Sequence, residues 1–287
     1  DLVRSRGLGD VYKRQAQLIA DDKCSAALDE SGETTSLQTV SYSDTTWALL
    51  FNAAEGSVFQ NQQLRQALAG IARENADVPS SGLYAAAKGL VPEGLTVDGL
   101  DYRETAGDPL PTIPEPKALY LAARQGMATS DFSGVTLLLP KNAGLGELAD
   151  QINSAWQKEC SLFFSVEEVE QDEFDARIAA GKYTIALAPI RAEGGSVYQM
   201  LQQFTAEGGS LTGYADTVYA DRLALSAQQT GKDRCALLAQ CERQLLESCT
   251  VVPLMAQQKR LLLANGVRDL VFDPFFPVLD LTWAKMS

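Results

Sequence analysis

The chain has 287 residues, 46% hydrophobic and 21% charged, with a formal net charge of −13. That length accommodates two ordinary domains and a sizeable core, and the acidic excess argues against a nucleic-acid partner, which calls for a basic surface. There is no histidine, which excludes Ser-His-Asp and Cys-His catalysis, His-ligated zinc and the usual pH switch, and no run approaches the about 18 apolar residues of a membrane span.

Residues 1–15, DLVRSRGLGDVYKRQ, carry four basic residues without apolar periodicity. They resemble a translated sequencing-adaptor scar and are expected to lie outside the native fold, with any signal peptide lost upstream. Residues 39–51 alternate and end on Trp47-Ala48-Leu49-Leu50-Phe51, which predicts a strand. Over 62–73, Leu64, Ala67, Leu68, Ile71 and Ala72 form one apolar face, which predicts a helix. Six of the eleven prolines fall in 76–116, so that stretch is expected to be irregular. A short helix over 116–124 follows.

Next comes the clearest pattern in the chain: strand 135–139, helix 145–159, strand 161–169, helix 172–180 stopped by Gly181, and strand 183–188. Short connections between alternating elements imply an open α/β sheet with a parallel core. Helices are predicted over 197–204, 219–229 and 232–248, the last with Asp233 as N-cap. Strands over 250–255 and 260–263 close the unit, and an aromatic tail follows, in which Phe272, Phe275 and Phe276 are expected to pack on the sheet or on a further lobe.

The chemical motifs are sparse. None of the five cysteines (Cys24, Cys160, Cys235, Cys241, Cys249) forms a C-x-x-C pair, so neither a zinc nor a thioredoxin-like site is expected. Cys241 shares an apolar helix stripe with Leu237, Leu238 and Leu245 and reads as a packed thiol; a bridge from Cys249 to Cys235 or Cys241 stays open. Gly144-Leu145-Gly146 before a helix reads as a turn or an anion site. The acidic run Glu167, Glu168, Glu170, Asp172 and Glu173 lacks calcium-loop spacing and sits where a helix N-terminus favours acids. There is no P-loop and no G-x-S-x-G, so a hydrolase is the lesser alternative. No metal and no cofactor are expected.

Two segments carry a family resemblance. Phe51-Asn52, a short loop and Leu64-Arg65-Gln66-Ala67-Leu68-Ala69, together with Ala239 to Leu254 ending in Val251-Val252-Pro253-Leu254, resemble the start and the return of the C-terminal lobe in the peptide-type extracellular solute-binding proteins of ABC importers. The segment 89–94, GLVPEG, is similar to a loop of that family. The resemblance implies an α/β fold of the periplasmic-binding-protein type II kind, mainly the C-terminal lobe of a two-lobed hinge protein. On it, 16–46 end the N-terminal lobe and enter the hinge, 47–255 form the C-terminal lobe, and 256–287 return. It implies capture of a peptide or related small solute without chemistry, delivery to ABC permease subunits, an extracytoplasmic location and a lipid anchor outside this chain. A diverged member binding another ligand or a protein partner is the alternative.

The family's contacts after the last parallel strand fall here on APIRAEGGSV, residues 188–197. Arg191 stands near a position expected to be acidic and would favour an anionic ligand group, with Glu193 the nearest acid. Trp47 and Asn52 are the remaining candidates: the indole lines a cavity or packs in the core, and the amide bonds an extended peptide or caps a turn.

Overall fold

The computed structural model describes residues 26–29, 37–79, 82–141, 143–265, 267–268, 271–272, 279–280 and 285–286. The first half comprises β1 (Ala26–Asp29), β2 (Gln38–Phe51), α1 (Gln62–Asn75), β3 (Tyr84–Ala86), β4 (Thr96–Val97), β5 (Leu100–Asp101), α2 (Tyr102–Ala106) and α3 (Pro116–Ala123). The second comprises β6 (Thr136–Pro140), α4 (Gly146–Cys160), β7 (Ser165–Val169), α5 (Gln171–Ala179), β8 (Ile185–Arg191), α6 (Val197–Gln202), α7 (Thr217–Ser226), α8 (Gly231–Glu247) and β9 (Val251–Leu263). Beyond them, β10 (Val267–Arg268) pairs with β13 (Lys285–Met286), and β11 (Val271–Phe272) with β12 (Leu279–Asp280). The expectations for residues 1–15 and for the side chains of Phe272, Phe275 and Phe276 lie outside the described residues.

The main sheet runs β1-β9-β2-β8-β6-β7, with β3 also on β9. β6 is parallel to both β7 and β8, so the three strands of the β-α-β-α-β unit share one sheet. β2 is antiparallel to β8 and β9, and β1 and β3 add antiparallel to β9. The α/β expectation therefore holds.

Alternation along β2 and β8 divides the core in two. Trp47, Leu49 and Phe51, with Ile185 and Leu187, face α1, α3 and α4 through Leu64, Leu68, Ile152 and Trp156. Ala48 and Leu50, with Ala186, Ala188 and Ile190, face α6, α7 and α8 through Met200, Leu223, Leu238 and Leu245. The buried Trp156 indole donates to the Leu68 carbonyl at 2.9 Å and meets Phe164 edge-on at 5.5 Å, which ties α4 to α1 and to the approach to β7. Asn153, 1% exposed, accepts from the Phe164 amide and donates to the Phe164 carbonyl. α5 ends as expected: Gly181 has φ +63°, its N–H bonds Ile178 O, and the Lys182 N–H bonds Arg177 O. Those two bonds define a Schellman cap.

Two local expectations are corrected, and a third stretch gains its explanation. Asp233 lies in the first turn of α8, whose N-cap is Thr230; the capping carboxylate is Asp98, which accepts from Gly231 N at 2.7 Å and pairs with Arg234. The two closing strands are one, because Gln257 and Lys259 stay paired with β2 across a bulge, and Gln257 also pairs with β3. The Pro-rich 82–116 stretch is held by a buried acid: Glu242 of α8, with a side chain 0% exposed, accepts from Val91 N, Tyr102 OH and Arg103.

Candidate ligand-binding site

β6 and β8 are hydrogen-bonded only at Leu137–Ile185 and Leu138–Ala186. Beyond that point they part, and among the described residues β8 from Leu187 to Arg191 is flanked by β2 alone. Pro189, which has no N–H to donate, falls in this singly flanked stretch. β6 is followed in sequence by β7 on one side and, after a crossover, by β8 on the other, so the parting lies at the point where strand order reverses. In open α/β sheets, that crevice at the strands' carboxyl ends is where ligands bind.

The crevice is rimmed by residues on or just after five strands. Arg191 ends β8 directly opposite Thr45 of β2, is exposed, and has no side-chain partner among the described residues; its carbonyl accepts from Gln203 Nε2. Glu193, also exposed, opens a single 3₁₀ turn, Glu193–Gly195. That turn needs two left-handed residues, Gly194 at φ +57° and Gly195 at φ +68°, which glycine supplies at no steric cost. The Ala192 amide is held by Asp44 O at 2.8 Å, and Asp44 Oδ2 pairs with Lys259 Nζ of β9 at 2.7 Å. The β8 turn is thus fastened to the point where β2 and β9 run past the sheet. From the other side of the crevice, Lys141 after β6 pairs with Glu170 after β7, both exposed.

Trp47 lies on the same face as Arg191, one register step deeper, opposite Pro189. It is 6% exposed, packs in the first apolar cluster, and donates through Nε1 to Gln257 Oε1 at 3.3 Å. Its indole is a wall of the core with its polar edge turned to the strand ends. Asn52 is not brought to the crevice. It follows the other end of β2, with its amide donating to Gly181 O and Tyr183 O at 2.9 Å and its carbonyl accepting from Ala54 N. The length of β8, at about 3.3 Å per residue, separates it from Arg191 by ~20 Å. Its role is the turn cap. Sequence reasoning missed Asp44 and Lys259, whose opposite charges 215 positions apart in a polar strand carry no local signal.

The described thiols are not poised for chemistry. Burial pushes Cys160 and Cys249 up to about 11 and Cys241 up to about 12, well above the ordinary thiol value. Among the described residues no helix is long and apolar enough to cross a membrane.

This arrangement is the fold of the ABC-transporter substrate-binding proteins of the oligopeptide kind. No protein-family profile matches the chain, and no curated protein matches it in sequence. The likeness is to solved structures. An oligopeptide ABC transporter substrate-binding domain from Bacillus anthracis aligns at 17% identity with a TM-score of 0.70, over 96% of this chain and 57% of that one. OppA of Listeria monocytogenes, solved bound to peptide, aligns at 18% with a TM-score of 0.69, over 96% and 56%. HbpA2 of Haemophilus parasuis aligns at 16% with a TM-score of 0.74, over 96% and 56%. The chain therefore spans little more than half the length of the proteins whose fold it shares.

Proposed function

We propose that this chain is the C-terminal lobe of a two-lobed solute-binding protein that captures a peptide, or a related small solute, and presents it to the permease subunits of an ABC importer outside the cytoplasm. The observation that carries this reading is the crevice where β6 and β8 part, with Arg191, which has no side-chain partner among the described residues, at its lip, on a fold shared with a protein described as peptide-bound. Capture needs no catalytic group; it needs a second surface that closes over the crevice and main-chain donors and acceptors to meet an extended ligand. The single open flank of β8 and the glycine turn after it offer such groups. On this reading Arg191 meets an anionic ligand group, such as a peptide carboxylate, and Glu193 is the acid nearest a ligand amine.

The test is titration calorimetry of a short-peptide pool into the protein carrying both lobes, as wild type and as Arg191→Ala. Loss of a charged hydrogen bond in a desolvated cleft costs roughly 1.5–3 kcal/mol of binding. A change within about 0.5 kcal/mol marks Arg191 as a surface residue, and absence of heat from any peptide defeats the peptide assignment.

A further inference from the structure

Arg191 and Lys259 are two cations on one face of the sheet with a carboxylate between them. Arg191 stands directly opposite Thr45 of β2, and Thr45 directly opposite Gln257 of β9, so these three side chains share a face. Lys259 follows Gln257 by two residues on β9 and lies on that face as well. From Thr45 back to Tyr42, β2 spends one more residue than β9 does from Gln257 to Lys259. The extra residue makes a bulge at Ser43-Asp44, and the bulge brings the Asp44 side chain to the same side. Its Oδ2 accepts from Lys259 Nζ and its Oδ1 from the Thr45 hydroxyl, both at 2.7 Å.

That geometry offers the Asp44 carboxylate two cations. Directly opposed residues on neighbouring strands have Cβ atoms about 4.5–5.5 Å apart, so Arg191 projects beside the hydroxyl that the carboxylate already holds. A guanidinium also matches a carboxylate better than an ammonium does, through two parallel N–H bonds. The structure nonetheless pairs Asp44 with Lys259, each side chain 21% exposed, and leaves Arg191 exposed. Glu193, two residues on, opens the 3₁₀ turn and does not pair with Arg191 either. The backbone here is held independently of that choice, Ala192 N by Asp44 O and Arg191 O by Gln203.

We infer that Lys259 is a positioning residue that sets the charge specificity of the crevice: it occupies Asp44 and so keeps the Arg191 charge available to an anionic group on the ligand. This rests on the reading of Arg191 as a ligand contact, and deepens it by naming what holds that contact open. Without Lys259, Asp44 is left to Arg191. An ion pair then closes over the lip, and an anionic ligand has to break it and sit beside the released carboxylate. Without both Lys259 and Asp44, Arg191 is free again. A pair that merely braced the bulge would give another pattern, in which losing either partner weakens the site alike.

The test uses Lys259→Met, Asp44→Asn and the double variant, with Arg191→Ala as reference, in two measurements. The first needs no ligand and follows the Arg191 Nε–H of this chain by NMR. Lys259→Met is expected to slow its exchange with water as the new ion pair forms, and the double variant to return it to the wild-type rate. The second is titration of the short-peptide pool into the protein carrying both lobes. Lys259→Met should weaken binding about ten- to a hundredfold, the loss of one charged hydrogen bond, down to the level of Arg191→Ala. Asp44→Asn should bind more tightly than wild type, since a carboxylate that repels the ligand is gone and two cations stay, and the double variant should rescue the loss seen in Lys259→Met. If Lys259→Met fails to fold, Asp44→Asn carries the test: a gain in affinity supports the inference and a loss overturns it. Equal weakening in all three variants, or an unchanged Arg191 Nε–H in folded Lys259→Met, also overturns it. A wild type that takes up no peptide defeats the capture reading instead, and the ligand-free measurement then still decides whether Lys259 keeps Asp44 from Arg191.

Discussion

Glu242 is a residue whose loss the structure makes costly. It is a glutamate on the buried face of α8, with a side chain 0% exposed, and it holds Arg103 at 3.0 Å, the Tyr102 hydroxyl at 2.9 Å and the Val91 amide at 2.9 Å. The Arg103 side chain is itself only 10% exposed. Glu242→Gln keeps the volume but leaves a buried guanidinium without a counter-charge and turns an N–H₂ toward donors. Breaking a buried ion pair from one side costs about 3–5 kcal/mol, a fifth or more of the about 5–15 kcal/mol that holds an ordinary domain. Urea unfolding should show the midpoint falling with m unchanged. Replacing both partners, as Glu242→Leu with Arg103→Leu, should cost clearly less than the sum of the two single changes, since neither charge is left alone. A loss below about 1 kcal/mol for Glu242→Gln, the ordinary value for a point change, would refute the reasoning.

Two further outcomes follow from particular contacts. Asp216 caps α7: burial works to raise its pKa, but hydrogen bonds from the Tyr219 amide, the Tyr214 hydroxyl and Gln244 prevail and hold it below the ordinary value. Its stabilisation is therefore present above the unfolded value of about 3.9 and disappears as pH falls through the folded one. Melting curves between pH 6 and 3 (a range of ~3 pH units around that value) should fall less steeply for Asp216→Asn, which keeps the cap; identical slopes would contradict this. Asn52→Ala removes the partner of two carbonyls and should lower stability by about 1–3 kcal/mol while leaving ligand affinity unchanged; calorimetry showing weakened binding would return Asn52 to the site.

The alternation of strands and helices from residue 135 onward was legible because each element carries its own period and its own stop signal, as at Gly181. The position of the crevice was half legible. A loop after the last parallel strand pointed to Arg191 and Glu193, but the early parting of β6 from β8 depends on how many rungs form between distant segments. Asn52 was misplaced for a related reason: a strand's pattern reads the same from either end, and only its direction in the sheet decides which end meets the crevice. Ser43 and Thr46 lie in SYSDTT, which reads as a polar surface until β9 and the 85–94 segment cover it. Glu242 did leave a trace, a lone acid at i+4 from Leu238 and i−3 from Leu245 on an otherwise apolar stripe.

The most direct test of the central claim is backbone hydrogen exchange of the protein carrying both lobes, with and without a short-peptide pool. Ligand capture at the crevice predicts slowed exchange at residues 187–196 and at the start of α4 around 143–148, with the base of β2 near Asn52 unchanged. Peptide-dependent protection confined to other surfaces, or none at a peptide concentration that saturates the binding heat, would contradict it.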